Sequence, residues 1–153
     1  MKNSILKYTF VSAAALFISS CSSDDSSLDT TKPEISLLTP KDDAHFHPGD
    51  VISLEAILKD NVELGNVKVE VHSAADGHTH QHKTADATVD FTFNKEYSIP
   101  AGSKEFVLKD NIQITTDNVT SGHYHLGLHL TDKAGNETES FIEIEIADHG
   151  HEH

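Results

Sequence analysis

The chain has 153 residues, of which 25 are acidic and 11 basic, and its formal net charge is −14 at pH 7. This length allows one domain with short appendages, and such an acidic surface excludes a nucleic-acid partner because it repels phosphate. A single cysteine excludes an intramolecular disulfide.

The first twenty residues predict a signal peptide. Lys2 and Lys7 give a positive start, and residues 10–18 form an apolar run that is too short to span a bilayer. Two serines and Cys21 follow Ile18, which resembles the lipobox of bacterial lipoproteins. The resemblance implies that Cys21 becomes the lipidated N-terminus and attaches the protein to a membrane.

Residues 21–32 are polar and lack periodicity, which predicts a flexible tether. The pair Asp24-Asp25 resembles the acidic export signal of Bacteroidetes lipoproteins that reach the outer face of the outer membrane. An ordinary solvated linker has the same composition. We therefore expect an outer-membrane lipoprotein that faces either the periplasm or the cell surface.

Between residues 33 and 147, short alternating segments are separated by turn residues. Strands are predicted around Ile35, Ile52, Val69, Phe91, Leu126 and Ile144, with one more at Phe106 or Ile112. About seven such strands and no convincing helix predict an all-β, antiparallel sandwich. A histidine-rich tail, 148–153, follows it.

Five motifs in this region resemble bacterial immunoglobulin-like domains. They are Pro33-x-Ile35, Pro48-Gly49-Asp50, Leu58-x-Asp60-Asn61, Gly122-x-Tyr124-x-Leu126 and Asp132-x-Ala134-Gly135-Asn136. The pattern is similar in particular to uncharacterised Ig-like lipoproteins of Bacteroidetes, classed as a domain of unknown function. The resemblance implies the fold and supplies no catalytic residue.

Twelve histidines distinguish the composition. On the Ig-like scheme, eleven lie at or beside one pole: His45, His47, His72, His78, His80, His82, His123, His125, His149, His151 and His153. Chance would scatter them over both poles, so the clustering predicts a function there. We expect His129, farther along its strand, to be a solvated side chain.

The strand around Leu126 places Tyr124 and its leucines on one face and His123 and His125 on the other. We expect Tyr124 to be a core or tyrosine-corner residue. In a His-x-His run the Cα atoms are roughly 6.5–7 Å apart, so two rings can meet one ion. Neighbouring strands should bring His72 to this face and place Glu143 or Glu145 across from His125.

Imidazole and carboxylate ligands suit Zn²⁺, Cu²⁺ or Ni²⁺. Zinc is the first choice, on the assumption that it is the more available ion. The sequence therefore predicts a lipid-anchored, extracytoplasmic binding protein, not an enzyme, that buffers the metal or passes it to an outer-membrane metal receptor. Residues 78–82 and the tail would act as low-specificity capture arms.

Other interpretations stay open. The protein could be a surface adhesion or glycan-binding module whose histidines are incidental or respond to pH. It could also be a metalloenzyme with an open zinc position. At the opposite pole, Asp60-Asn61 and Asp132 with Asn136 could bind calcium, although such residues are typical of turns.

Overall fold

The structure is a computed structural model that describes residues 28–74, 88–115 and 118–147. Eight strands lie in these ranges: β1 (Glu34–Thr39), β2 (Ala44–Phe46), β3 (Val51–Lys59), β4 (Leu64–Ser73), β5 (Phe93–Ser98), β6 (Glu105–Gln113), β7 (Gly122–Asp132) and β8 (Glu137–Ile146). In the same ranges no helix is long and apolar enough to cross a membrane.

The strands form two sheets. One has the order β1-β3-β6 and the other the order β2-β8-β7-β4-β5. The pairings between these strands are antiparallel, except that β2 pairs with β8 in parallel. The two sheets pack as an all-β sandwich of Ig-like topology, and this confirms the predicted fold class.

The core comes from the apolar positions of the alternating strands. Residues from both sheets are at most 1% exposed: Ile52, Leu54 and Leu58 on β3, Val67, Val69 and Val71 on β4, Tyr124, Leu126, Leu128 and Leu130 on β7, and Ile144 and Ile146 on β8. Because side chains alternate along a strand, the residues between them face outward. The predicted direction of the β7 histidines is therefore confirmed.

Tyr124 fixes the beginning of β7 from the core side. Its hydroxyl donates to the Thr120 carbonyl at 2.6 Å and accepts the Phe91 amide at 3.3 Å. A buried tyrosine that bonds the backbone four residues earlier is a tyrosine corner, as predicted. The contact holds the segment that carries His123 and His125.

The strand predictions differ from the structure at two places. β2 was not predicted, because three residues are too few to show a period of two. The segments at Phe106 and Ile112 belong to one strand, β6, which pairs with β3 from Val51↔Gln113 to Lys59↔Glu105. The polar residues between them lie within this edge strand and do not form a turn.

The end of the predicted tether is not free coil. Asn61 Nδ2 donates to Asp29 Oδ1 at 3.2 Å, and Asn136 Nδ2 donates to the Asp29 carbonyl at 3.0 Å. The Thr138 hydroxyl donates to the Pro33 carbonyl at 2.5 Å. The chain therefore enters β1 fixed against the turns that join β3 to β4 and β7 to β8.

Candidate metal centre

Four adjacent strands place six predicted ligands on the outer face of the five-stranded sheet. We call this set the histidine face: His45, His72, His123, His125, Glu143 and Glu145. The register pairs His72 with His125 and His125 with Glu143, and Glu145 lies between His123 and His45. The prediction that His72 and a glutamate flank His125 is confirmed.

Two of these imidazoles are paired with carboxylates. His123 Nδ1 lies 2.9 Å from Glu143 Oε1, and His45 Nδ1 lies 2.8 Å from Glu145 Oε2. The side chains of His45 and His123 are 70% and 61% exposed, so each pair adds about 1 kcal/mol or less to stability. The effect of the carboxylates is mainly to orient the rings.

Two more imidazoles have Nδ1 on a backbone carbonyl. His72 Nδ1 lies 3.1 Å from the carbonyl of Ser73, and His47 Nδ1 lies 2.7 Å from that of Ala147. An acceptor at Nδ1 favours the neutral tautomer that has its proton there and its lone pair on Nε2. This is the ring state in which histidine ligates a metal through Nε2.

His72 and His125 form the closest contact between imidazoles on this face. Their ring centroids are 5.5 Å apart and the rings meet edge to face at 90°. The His125 ring makes no hydrogen bond to any residue that the structure describes. The two rings come from directly paired positions on β4 and β7, so the backbone fixes their spacing.

The histidine face is not a closed three-ligand site. Within residues 28–74, 88–115 and 118–147, the only three His, Cys, Asp or Glu side chains with ligand atoms within 4.8 Å of one another are Asp29, Asp60 and Asp132. The histidine face instead offers its ligands in pairs. Seven predicted site residues lie outside the described ranges and stay predictions: Cys21, His78, His80, His82, His149, His151 and His153.

The expectation of a solvated His129 is wrong. Its Nδ1 lies 2.9 Å from Glu139 Oε1 and its Nε2 lies 3.0 Å from Glu70 Oε1, and the side chain is 27% exposed. Sequence reasoning missed this cluster because Glu70 is a diagonal neighbour, whereas Lys68 is directly paired with His129. The sequence signal that could have revealed the cluster is the presence of glutamates on both strands next to β7, Glu70 on β4 and Glu139 on β8.

The two carboxylates change the proton affinity of His129. Burial lowers its pKa, but the hydrogen bonds with Glu70 and Glu139 outweigh burial, so the pKa is raised above its ordinary value. The pKa of Glu70 is lowered, first by its hydrogen bond with Lys68 and then by that with His129. His129 is therefore suited to be a cation between two anions and not a metal ligand.

Phe141 separates His129 from the histidine face. Phe141 is paired with Gly127, between the pairs that contain His125 and His129, and its ring lies 5.2 Å from that of His129. A Cβ at residue 127 would lie 2.4 Å from Phe141 Cε1. The missing side chain of Gly127 thus makes room for the aromatic ring.

At the opposite end, the aspartates have the turn role that the sequence predicted. Asp60 Oδ2 accepts the backbone amides of Val62 and Glu63, both at 2.7 Å. Asp132 Oδ1 accepts the backbone amide of Asn136 at 2.7 Å. We call Asp29, Asp60 and Asp132 the acidic pole.

Solved structures with some likeness to this chain have diverse functions. Spo0M, a sporulation control protein from Bacillus subtilis, is 13% identical, with a TM-score of 0.41 over 77% of this chain and 49% of that one. The chain thus spans about half of that protein. A CARDB domain from Pyrococcus furiosus, in complex with di-metal ions, is 13% identical, with a TM-score of 0.38 over 81% and 99%.

A β-glucosidase from Listeria innocua, in complex with laminaribiose, is 11% identical, with a TM-score of 0.39 over 75% of this chain and 16% of that one. Identities and TM-scores this low carry no argument about what this chain binds. No curated protein matches the sequence. A family model does match, over residues 19–147, and the chain therefore belongs to the family described as a domain of unknown function, DUF4625.

Proposed function

We propose that this chain is a lipid-anchored, extracytoplasmic binding protein for a divalent transition-metal ion. Zinc is the first choice, with Cu²⁺ and Ni²⁺ as alternatives, and the ion would be held on the histidine face. The observation that carries the proposal is a hydrogen-bonding pattern that His45, His72 and His123 share. Each has Nδ1 on an acceptor, and its Nε2 has no hydrogen-bond partner among the described residues.

The central ligands in this proposal are His72 and His125. Their edge-to-face contact puts two imidazoles at neighbouring backbone positions without any strand movement. Glu143 is directly paired with His125 and is the nearest source of a third ligand. It would have to exchange its contact with His123 for one with the ion. Both side chains are exposed, and such rotamer changes take picoseconds to nanoseconds.

Attachment through Cys21 would suit a metal site on the histidine face, because the chain enters the sandwich at the opposite end. Asp29, eight residues after the cysteine, lies at the acidic pole, opposite the histidine face. A membrane anchor at Cys21 would therefore leave the histidine face directed away from the membrane. A lipoprotein of Bacteroidetes type, at the outer membrane, would capture the ion there and buffer it or pass it to a metal receptor.

A second candidate function follows from His129. A surface adhesion or glycan-binding module could use histidines as pH-responsive groups, and His129 has a raised pKa between two carboxylates. In that case His129, and not the pair His72 and His125, would govern binding. The two candidates thus differ in which histidines matter.

The test is calorimetric titration of the intact purified protein with zinc, copper or nickel salts at neutral pH. The proposal expects at least one site with a Kd tighter than about 10 μM. The combined substitution of His72→Ala and His125→Ala should weaken the tightest site about a hundredfold or more. His129→Gln removes an imidazole from the same face of the same strand and is the matched control, because both of its ring nitrogens are already paired.

Three outcomes would contradict the proposal. The absence of a site at about 10 μM for all three metals would exclude the function itself. If the double variant keeps the tightest site, the pair His72 and His125 does not hold the ion and other histidines do. Equal losses from the double variant and from His129→Gln would indicate a general effect on the sheet.

A further inference from the structure

Three aspartates from separate segments meet at the acidic pole. Asp29 precedes β1, Asp60 follows β3 and Asp132 ends β7. One ligand oxygen of each lies within 4.8 Å of those of the other two. Oxygen ligands lie about 2.3–2.6 Å from Ca²⁺, so two ligands of one ion are at most about 5 Å apart. The spacing of the three oxygens fits a single calcium ion.

Asp60 distinguishes this cluster from ordinary surface acids. Its Oδ2 is satisfied by the turn amides of Val62 and Glu63. Its Oδ1 is closed to solvent and has no hydrogen-bond partner among the residues described. Folded proteins rarely contain a buried anionic oxygen without a donor, because nothing replaces its lost hydration. A cation bound by the cluster would supply the missing partner.

Asp132 adds a buried carboxylate that Asn136 holds in place. The residue is 4% exposed, and Asn136 donates its backbone amide to Oδ1 at 2.7 Å and its side-chain amide to Oδ2 at 2.6 Å. These bonds hold the Asp132 carboxylate in a fixed position beside Asp29 and Asp60.

None of the three aspartates forms an ion pair with a residue in the described ranges. Three like charges at this separation repel one another. The ligand atoms are all oxygen. Hard cations prefer oxygen ligands, whereas the transition metals considered for the histidine face prefer imidazole nitrogen. Ca²⁺ fits better than Mg²⁺, since it tolerates irregular ligand geometry.

We propose that Asp29, Asp60 and Asp132 bind Ca²⁺, and that the ion fixes the segment before β1 to the acidic pole. Asp29 is held there by two hydrogen bonds from side-chain amides, those of Asn61 and Asn136. A calcium ion coordinated by the three carboxylates would link that segment to two turns of the sandwich. The site is independent of the proposed transition-metal function, because it uses other residues at the opposite end.

The test is calorimetric titration of the intact, chelator-treated protein with calcium chloride and, separately, magnesium chloride. One calcium should bind with a Kd of about 10⁻⁴ to 10⁻³ M, in the range of weak oxygen-ligand calcium sites, and magnesium more weakly. Asp29→Asn should weaken calcium binding about tenfold or more and leave the fold intact, because residue 29 lies outside every strand. Glu34→Gln, also near the start of β1, is the control of equal charge change.

The proposal would be overturned if calcium up to about 10 mM gave no measurable heat of binding and did not raise the Tm of the protein. Equal weakening by Asp29→Asn and Glu34→Gln would also overturn it, since net charge alone would then explain the binding. Asp60→Asn is a second test of the site and should weaken calcium binding as much as Asp29→Asn does. The double variant His72→Ala with His125→Ala should bind calcium normally.

Discussion

The two ends of the sandwich carry different side chains that differ in burial and in the number of their contacts. The histidine face offers imidazoles in pairs, and those of His45, His72 and His123 each have one contact at Nδ1. The acidic pole gathers three carboxylates from separate segments, one of them 4% exposed and held by Asn136. The difference shows how one sandwich can place imidazoles on exposed strand positions and carboxylates in a partly buried cluster of turns.

The largest expected effect is on transition-metal affinity. His72→Ala with His125→Ala should cost about 2.7 kcal/mol or more in zinc binding, a hundredfold change, and leave unfolding by urea almost unchanged because both rings are on the surface.

Calorimetry at about pH 7.5 and about pH 5.5 should also show weaker zinc binding by the unchanged protein at the lower pH, since imidazoles must lose their proton to bind metal. A pH-independent affinity would show that the ligands are not histidines.

Asp132→Ala should be the most destabilising change at the acidic pole. It removes the acceptor of both Asn136 donors from a buried position, so the free energy of unfolding should fall by about 2 kcal/mol. Urea denaturation in chelator-treated buffer measures this, with Glu34→Gln as the control. Zinc affinity should not change, and a change would mean that the two ends are coupled.

Tyr124→Phe tests the connection between the core and the histidine face. Loss of the hydroxyl leaves the Thr120 carbonyl and the Phe91 amide without their partner, which should cost about 1 kcal/mol in stability. Since the tyrosine corner fixes the start of β7, zinc affinity should fall slightly as well. Calcium binding should be the same as in the unchanged protein.

The smallest effect belongs to His129 and depends on pH. Its folded-state pKa is raised, so its stabilising contribution is full below the unfolded value of about 6.5 and is lost as pH rises through the folded value. His129→Gln should therefore cost about 0.5–1 kcal/mol at about pH 5.5 and less at about pH 8.5. Urea denaturation at the two values gives the comparison, and a larger loss at the higher pH would contradict it.

Sequence reasoning was most successful where the pattern is local and repeats every second residue. Alternation placed His123 and His125 outward, and the Ig-like scheme brought His72 and Glu143 to them. It failed where geometry depends on contacts distant in sequence. Neither the three-residue β2 nor the bonds between Asp29 and Asn136, 107 residues apart, leave a local periodic signal.

The same limit explains His129. A strand pattern tells which face a residue occupies, but the diagonal reach of Glu70 depends on side-chain direction across two strands. The predicted tether likewise reads as polar coil, and its last residues are fixed only by the amides of two distant turns. The composition of a segment predicts its local conformation, but the contacts of a site come from residues that are distant in sequence.

The short parallel strand β2 has a consequence for association between molecules. It covers β8 from Ile144 to Ile146, at what would otherwise be an open edge with unpaired amides and carbonyls. His45 on β2 and Glu145 on β8 are joined by a surface contact at 2.8 Å. The short strand therefore leaves less of the β8 edge open to pairing with a second molecule.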